Sequence, residues 1–206
     1  MSELQDGRVQ RQQSIYDENK LKLIETAIEL INDIGDISEV TLTQIAKESG
    51  VSPATAYNHF PDRMSDLLSS IVKSKLDVRE TFMESMLDKS KSLLDTIKEV
   101  PVIYAKKIIE LGYTGKVLIS QMGNLTSQNK WLDDDPVQVL KTLLEEEGIY
   151  KKQSMEIAEK ITTSFRGAMF EYSLSREKQN NQYSPYTSKK FVNTCETIVE
   201  DVLKLY

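Results

Sequence analysis

The chain has 206 residues, 39% hydrophobic and 28% charged, with a formal net charge of −6 and one cysteine, Cys195. This length allows one large domain or two small ones, a single cysteine excludes an intrachain disulfide, and no run of about 18 apolar residues is available to span a membrane. The polar first residues also lack the apolar segment of a secretory signal, so we expect a cytoplasmic protein that does not associate with a membrane.

The first fourteen residues are polar and aperiodic. We interpret residues 1–14 as a flexible amino-terminal arm, because chain ends are often loosely held. Arg8 and Arg11 leave a second reading open, in which this arm contacts a DNA groove or backbone. From Ile15 to Ile34 apolar residues recur at three- and four-residue spacing, which predicts an amphipathic helix.

The stretch from Val40 to Arg63 predicts two short helices joined by a tight turn. Thr41 is a candidate N-cap of the first helix, and Gly50 can take the left-handed conformation beyond its end. Ser52 is a candidate N-cap of the second helix, and Pro53 follows at the first helical position, where proline is tolerated. This arrangement is typical of a helix-turn-helix unit.

The chain has few prolines, few glycines and few strand-like alternations, which predicts an all-α fold. We divide this fold into three segments after the arm. Residues 15–62 are expected to form a DNA-binding head of three helices. Asp62 can cap the next helix, and residues 63–87 are predicted to be one long connecting helix that links the head mechanically to the body. Residues 88–206 are predicted to be a larger helical body for ligand binding and dimerisation, in which Pro101 kinks or splits one helix.

The last two predicted helices of the body are apolar over a wide arc. A helix that is apolar on more than one face needs contacts on more than one side. We attribute the second contact to a partner subunit, so that two helices from each of two chains form a four-helix homodimer interface. The residues assigned to this interface are Gly167, Phe170, Leu174, Phe191, Cys195, Ile198 and Val202.

The body is also the expected place of a small-molecule site, because such sites are mostly apolar with a few polar groups. Ordinary core packing is the alternative for every candidate. The candidates are Tyr104, Tyr113, Met122, Trp131, Phe165, Met169 and Tyr172, and the three on the penultimate helix are favoured because they share one face. The acidic runs 133–135 and 145–147 are attributed to a helix start and a solvated face, so neither a metal site nor a cofactor is expected.

A fixed pattern runs through the helix-turn-helix stretch and is formed by Thr41, Ile45, Ala46, Ser49, Gly50, Val51, Ser52, Tyr57, Phe60 and Arg63. It resembles the pattern T-x-x-x-I-A-x-x-A/S-G-V-S-x-x-x-x-Y-x-x-F-x-x-K/R of the DNA-binding domain of the TetR family of bacterial transcriptional regulators. The resemblance covers roughly residues 15–75, and the remainder agrees only in size and helical content. Asp62 departs from the family, which often has serine there, and adds a negative charge beside a phosphate contact.

The resemblance implies a homodimer that binds a palindromic double-stranded DNA operator through its heads and a small-molecule effector through its body. Early residues of a recognition helix reach base edges in the major groove, and here these are Ser52, Pro53, Ala54, Thr55 and Asn58. Thr43, Lys47, Tyr57, His59 and Arg63 suit phosphate contacts, which set the register without reading sequence. The main role expected for Thr41 is that of a helix cap, and hydrogen bonding to a phosphate is its secondary role. Local packing is the alternative for Tyr57 and His59.

The expected function is a ligand-responsive transcriptional regulator, most simply a repressor released from its operator by a largely apolar molecule. The alternative is a helical ligand-binding or interaction protein with weak or lost DNA binding. The charge of the head favours this alternative, because residues 1–75 hold eight Lys and Arg against twelve Asp and Glu. Whether the regulator represses or activates depends on the operator position. An enzyme is not expected, since the chain has no Cys-x-x-Cys pair, His-Glu-x-x-His motif or glycine-rich phosphate loop.

Overall fold

The structure, a computed structural model, describes residues 3–78, 84, 88, 90–131, 136–148, 151–175 and 187–206. Across these ranges the chain contains helices and turns but no strand, which confirms the all-α prediction. The chain divides into two compact units, Met1–Ile71 and Val72–Tyr206. None of the described helices is both long enough and apolar enough to cross a membrane.

The amino-terminal unit, or head, is built on one long helix. Its elements in order are α1 (Glu3–Ile34), a short 3-10 turn (Ile37–Glu39), α2 (Leu42–Glu48), α3 (Pro53–His59) and α4 (Met64–Ile71). Helix α1 packs against each of α2, α3 and α4. The buried apolar side chains of this core include Leu23, Ile24, Ala27, Ile31, Leu42, Ile45, Ala46, Phe60, Leu67 and Ile71.

The boundaries of α2 and α3 follow from local capping, as the sequence predicts. The Thr41 hydroxyl accepts a hydrogen bond from the Gln44 backbone N–H at 3.2 Å, and the Ser52 hydroxyl accepts one from the Thr55 backbone N–H at 3.1 Å. Gly50 follows the end of α2 with φ of 70°, a conformation that favours glycine. The two hydroxyls thus satisfy backbone N–H groups at the start of α2 and of α3, which would otherwise have no partner within the helix.

The start of α1 differs from the predicted flexible arm of residues 1–14. The helix begins at Glu3 and not near Ile15. Its first turns are polar, yet Gln, Glu and Arg are good helix formers, and an apolar stripe is needed only where a helix packs on a core. Gln13 donates a hydrogen bond to the Asp17 carboxylate one turn later at 3.0 Å, which supports this polar part.

The predicted connecting helix over residues 63–87 differs from the structure within its described part. The α-helix ends at Ile71 and continues as a π-helical turn, Val72–Leu76, so the change of helix type coincides with the boundary between the two units. The apolar periodicity fails after Leu76, because the positions three and four residues later are Arg79 and Glu80. Residues 79–83 and 85–87 of the predicted helix lie outside the described residues.

The described residues of the second unit, or body, form five helices with defined bounds after the π-helical turn. They are α5 (Leu93–Glu110), α6 (Tyr113–Ser127), α7 (Pro136–Glu147), α8 (Ser154–Leu174) and α9 (Ser188–Leu203). Helices α6, α7 and α9 each pack against both α5 and α8. Helix α5 continues through Pro101, which is buried, so the predicted split does not occur.

The position of α9 removes the reason for placing it at a dimer interface. Phe191, Cys195, Ile198 and Val202 are all buried within the chain itself, where α9 packs on α5 and α8. The Phe191 ring stacks on that of Tyr172, with 4.7 Å between ring centroids and 11° between planes. The wide apolar arc of α9 is therefore satisfied by two neighbours in the same chain.

Gly115 shows how closely α5 and α6 approach each other. A Cβ atom at this position would clash with the backbone carbonyl oxygen of Ile108, which cannot move without disturbing α5. Gly123, two turns later on the same helix, has no atom within 4 Å of the corresponding position. Gly115 is thus required for the close packing of α6 against α5.

We expect Gly115→Ala to destabilise the body by about 1–3 kcal/mol, because overpacking forces the two helices apart. The matched control, Gly123→Ala, should leave stability unchanged or raise it by up to about 1 kcal/mol through helix propensity. Urea unfolding followed by the fluorescence of the buried Trp131 measures both variants. Equal stabilities of the two variants would contradict the close contact.

Candidate nucleic-acid interface

The amino-terminal half of α3 presents small and polar side chains to solvent. Ser52, Pro53 and Ala54 are exposed and Thr55 is half-buried, and Asn58 near the end of α3 is exposed as well. The Ser52 and Thr55 hydroxyl oxygens lie 2.8 Å apart and share a hydrogen bond. The exposed surface of α3 is therefore free of bulky side chains at its start, which allows close approach to a groove.

Three of the predicted phosphate contacts form a connected strip along one edge of α3. The Thr43 hydroxyl of α2 and the Tyr57 hydroxyl of α3 are 3.2 Å apart, within hydrogen-bond distance. The Arg63 guanidinium carbon lies 5.9 Å from the centre of the Tyr57 ring, in cation–π range. All three side chains are exposed. We call this set the Thr43–Tyr57–Arg63 strip.

Arg63 is held in place by a tight turn between α3 and α4. Its backbone N–H donates to the Phe60 carbonyl at 2.9 Å, and the Asp62 backbone N–H donates to the Asp66 carboxylate at 2.7 Å. Arg63 has φ of 52°, which costs a residue with a Cβ on the order of 1–3 kcal/mol. The sequence pattern alone pointed to Asp62 as the cap here. A carboxylate four residues later, Asp66, was the signal that it missed.

The charge of the helix-turn-helix segment differs from that of the rest of the head. Residues 40–63 contain two cations, Lys47 and Arg63, and two anions, Glu48 and Asp62, so this segment is neutral. The other residues up to position 75 contain six cations and ten anions. The acidic excess of the head therefore lies outside the helix-turn-helix segment of the sequence.

His59 does not lie on this surface, which corrects its assignment as a phosphate contact. Its side chain is 8% exposed, and its ring packs on Tyr16 of α1 with 4.0 Å between ring centroids. Neither ring nitrogen has a hydrogen-bond partner among the described residues. Burial lowers the pKa of His59, Lys20 acts in the same direction, and Asp17 opposes them. His59 therefore fixes the end of α3 against α1 as a neutral ring.

The seven aromatic and methionine candidates of the body are not gathered in one place. Tyr104 and Phe165 meet edge to face, with ring centroids 5.7 Å apart. Tyr172 instead stacks on α9, with the Lys116 ammonium 5.0 Å from its ring centroid. Met169 and Trp131 are buried, whereas the remaining two are accessible. The partly accessible candidates are Tyr113 and Met122.

Comparison with known proteins supports the assignment of the head. Residues 23–70 match the family described as bacterial regulatory proteins, tetR family. Over 71 residues the chain is 32% identical to HTH-type transcriptional regulators of Staphylococcus aureus strains USA300 and NCTC 8325 / PS 47, covering 34% of this chain. The match spans 37% of the length of these relatives. The similarity therefore concerns the segment that carries the helix-turn-helix.

The neutral state of His59 makes the head sensitive to acid. Its pKa is lowered in the folded protein, so below the unfolded value of about 6.5 the unfolded chain takes up the proton first. We expect stability to fall as pH decreases from about 7.5 to 5.5, as measured by urea unfolding followed by circular dichroism. His59→Phe keeps a ring against Tyr16 and should show a smaller loss. A parallel loss in both proteins would exclude His59 as the cause.

Proposed function

We propose that the whole protein is a DNA-binding transcriptional regulator of the TetR family, whose family description residues 23–70 match, and that it acts in the cytoplasm, where the DNA lies. The observation that carries this proposal is the exposed start of α3 beside the Thr43–Tyr57–Arg63 strip. Together they offer one surface for base edges and another for phosphates, the two contact classes that a DNA reader needs.

In this proposal α3 enters the major groove of the operator. Asn58 is the strongest candidate for a base contact, because an exposed amide can pair with adenine through two hydrogen bonds. Ala54 and Pro53 offer apolar contacts to a thymine methyl group. Ser52 and Thr55 bond each other in the free protein, so one of them would have to exchange that partner to reach a base.

Two copies of the chain would bind a palindromic operator with their α3 helices about 34–36 Å apart. The pairing surface we propose is the outer face of α8, where Gly167, Phe170 and Leu174 lie at i, i+3 and i+7. Phe170 is 56% exposed and Leu174 60% exposed, so their apolar area is uncovered within the chain. The exposed side chains on the outer face of α9 include the charged Glu196 and Glu200, of which Glu200 pairs with Lys98 at 3.0 Å, so this face is polar and α8 is favoured.

Ligand response is the third part of the proposal. A molecule that binds the body better in one arrangement of the dimer than in another must change operator affinity, and DNA must change ligand affinity by the same factor. Release on ligand binding makes the protein a repressor when the operator overlaps a promoter.

The acidic head favours one competing function, a helical ligand-binding or interaction protein that no longer binds DNA usefully. Fluorescence anisotropy with duplexes from the region upstream of its own and neighbouring genes separates the two functions. A regulator binds one such duplex well above a scrambled duplex of equal length. Equal affinity for all duplexes at low salt would reject the regulator and leave the competing function.

Arg63→Ala should weaken operator binding about equally for specific and scrambled duplexes. It should also reduce the slope of log affinity against log salt by about one per protomer, because one phosphate contact is lost. Lys22→Ala on α1 is the matched control, since Lys22 is an exposed cation of the head outside the helix-turn-helix. An Arg63→Ala slope equal to that of the wild type would show that Arg63 does not contact phosphate.

Phe170→Asp should weaken self-association at least about tenfold, since it places a charge in the centre of an apolar contact. Analytical ultracentrifugation over a concentration series measures the dimer dissociation constant. Val139→Asp on α7 introduces the same charge at another exposed apolar position and should leave association unchanged. If Phe170→Asp remains as dimeric as Val139→Asp, the copies pair through a different surface.

A further inference from the structure

Helix α1 continues upstream of the segment that matches the family description. The helix begins at Glu3, whereas the match begins at residue 23. Residues 9–18 are all exposed, and Leu23 is the first described side chain of α1 that is buried. Residues 9–18 therefore form no core of their own, and they can act on the head only through contacts with its other helices.

Tyr16 makes such a contact with the end of α3. The centroid of its ring lies 4.0 Å from that of the His59 ring, with 41° between the ring planes. Tyr16 is 44% exposed and His59 is 8% exposed, so the tyrosine shields the histidine from solvent. Tyr16 precedes the buried Leu23 by seven residues, or about two helical turns, and therefore lies on the same face of α1. The face of α1 that packs on the head thus extends upstream as far as Tyr16.

His59 is the last residue of α3 and directly follows Asn58, the candidate base contact. Neither ring nitrogen of His59 has a hydrogen-bond partner among the described residues, so the position of this ring depends on packing against Tyr16. The other end of α3 is fixed by the Ser52 cap. A seven-residue helix that is held at both ends has a defined rotation about its axis, and this rotation decides where the Asn58 amide points.

Building on the regulator proposed above, we propose that Tyr16 is a positioning residue for operator reading. Its ring acts through His59 to set the orientation of α3, and with it the direction of the Asn58 amide, while Tyr16 itself need not touch DNA. A pair of hydrogen bonds from an amide to adenine requires a narrow range of directions. A phosphate contact fixes the register but reads no sequence. Tyr16 therefore contributes to specific binding and not to non-specific binding.

Tyr16→Ala and Tyr16→Phe test this role in the whole chain. Fluorescence anisotropy gives the Kd for the operator duplex and for a scrambled duplex of equal length. Tyr16→Ala should weaken operator binding about two- to tenfold, the factor that an aromatic pair contributes, and leave binding of the scrambled duplex unchanged. Tyr16→Phe keeps the ring and should leave both affinities unchanged. The matched control is Ile15→Ala, because Ile15 is 49% exposed and lies on a different side of α1.

Amide hydrogen exchange of the free protein provides a readout that does not involve DNA. Tyr16→Ala should speed exchange of the Phe60 amide, which donates to the Ala56 carbonyl at 3.0 Å at the end of α3. The Ser49 amide at the end of α2, which donates to the Ile45 carbonyl at 2.9 Å, should exchange at its wild-type rate. General destabilisation of the head would speed exchange of both amides and lower both DNA affinities by one factor. The two measurements therefore separate positioning from stability.

Four results would overturn the inference. They are unchanged operator affinity in Tyr16→Ala, an equal loss of affinity for the operator and scrambled duplexes, unchanged exchange of the Phe60 amide, and an equal loss of operator affinity in Tyr16→Phe, which would assign the effect to the hydroxyl. If the wild-type chain and Tyr16→Ala bind the operator equally well and specifically, only this inference is lost. If the wild-type chain binds every duplex with equal affinity, the regulator proposal is lost and this inference with it.

Discussion

The packing of α1 under α2 and α3 is the contact on which the head depends. Helices α2 and α3 have seven residues each, and isolated helices of that length are unstable in water. The buried stripe of α1 provides the apolar surface that holds both of them at a fixed angle. The Tyr16–His59 contact extends this support to the last turn of α3. Any reading of DNA by α3 therefore relies on a helix that need not touch DNA itself.

The polar groups at the turns of the head are satisfied locally. Hydroxyls and carboxylates there are bonded to backbone N–H groups, which fixes the geometry of a small surface. A surface of fixed geometry suits recognition of a constant partner such as duplex DNA. Buried polar groups without a hydrogen-bond partner among the described residues occur in both units, at the His59 ring in the head and at the Tyr104 and Thr162 hydroxyls in the body.

Features set by neighbouring residues could be predicted from the sequence, and those set by distant contacts could not. The caps at Thr41 and Ser52 involve residues three positions away, and both are confirmed. The polar start of α1 escaped detection because periodicity reports burial, whereas helix formation there rests on propensity. The sequence pattern showed that α9 is apolar on more than one face, and the second face was assigned to a partner subunit. Periodicity shows how wide the apolar face of a helix is, but it does not show which neighbour covers that face.

His59 and Trp131 have a practical consequence for studying how the units communicate. The chain contains one histidine and one tryptophan, and the first is buried in the head and the second in the body. The imidazole proton resonances in a nuclear magnetic resonance spectrum therefore come from the α1–α3 contact alone, and the indole emission comes from the body alone. Indole emission can be recorded while DNA is added, and the imidazole resonance can be recorded while a small molecule is added. Each experiment reports on one unit while the other is perturbed, and neither needs an attached label.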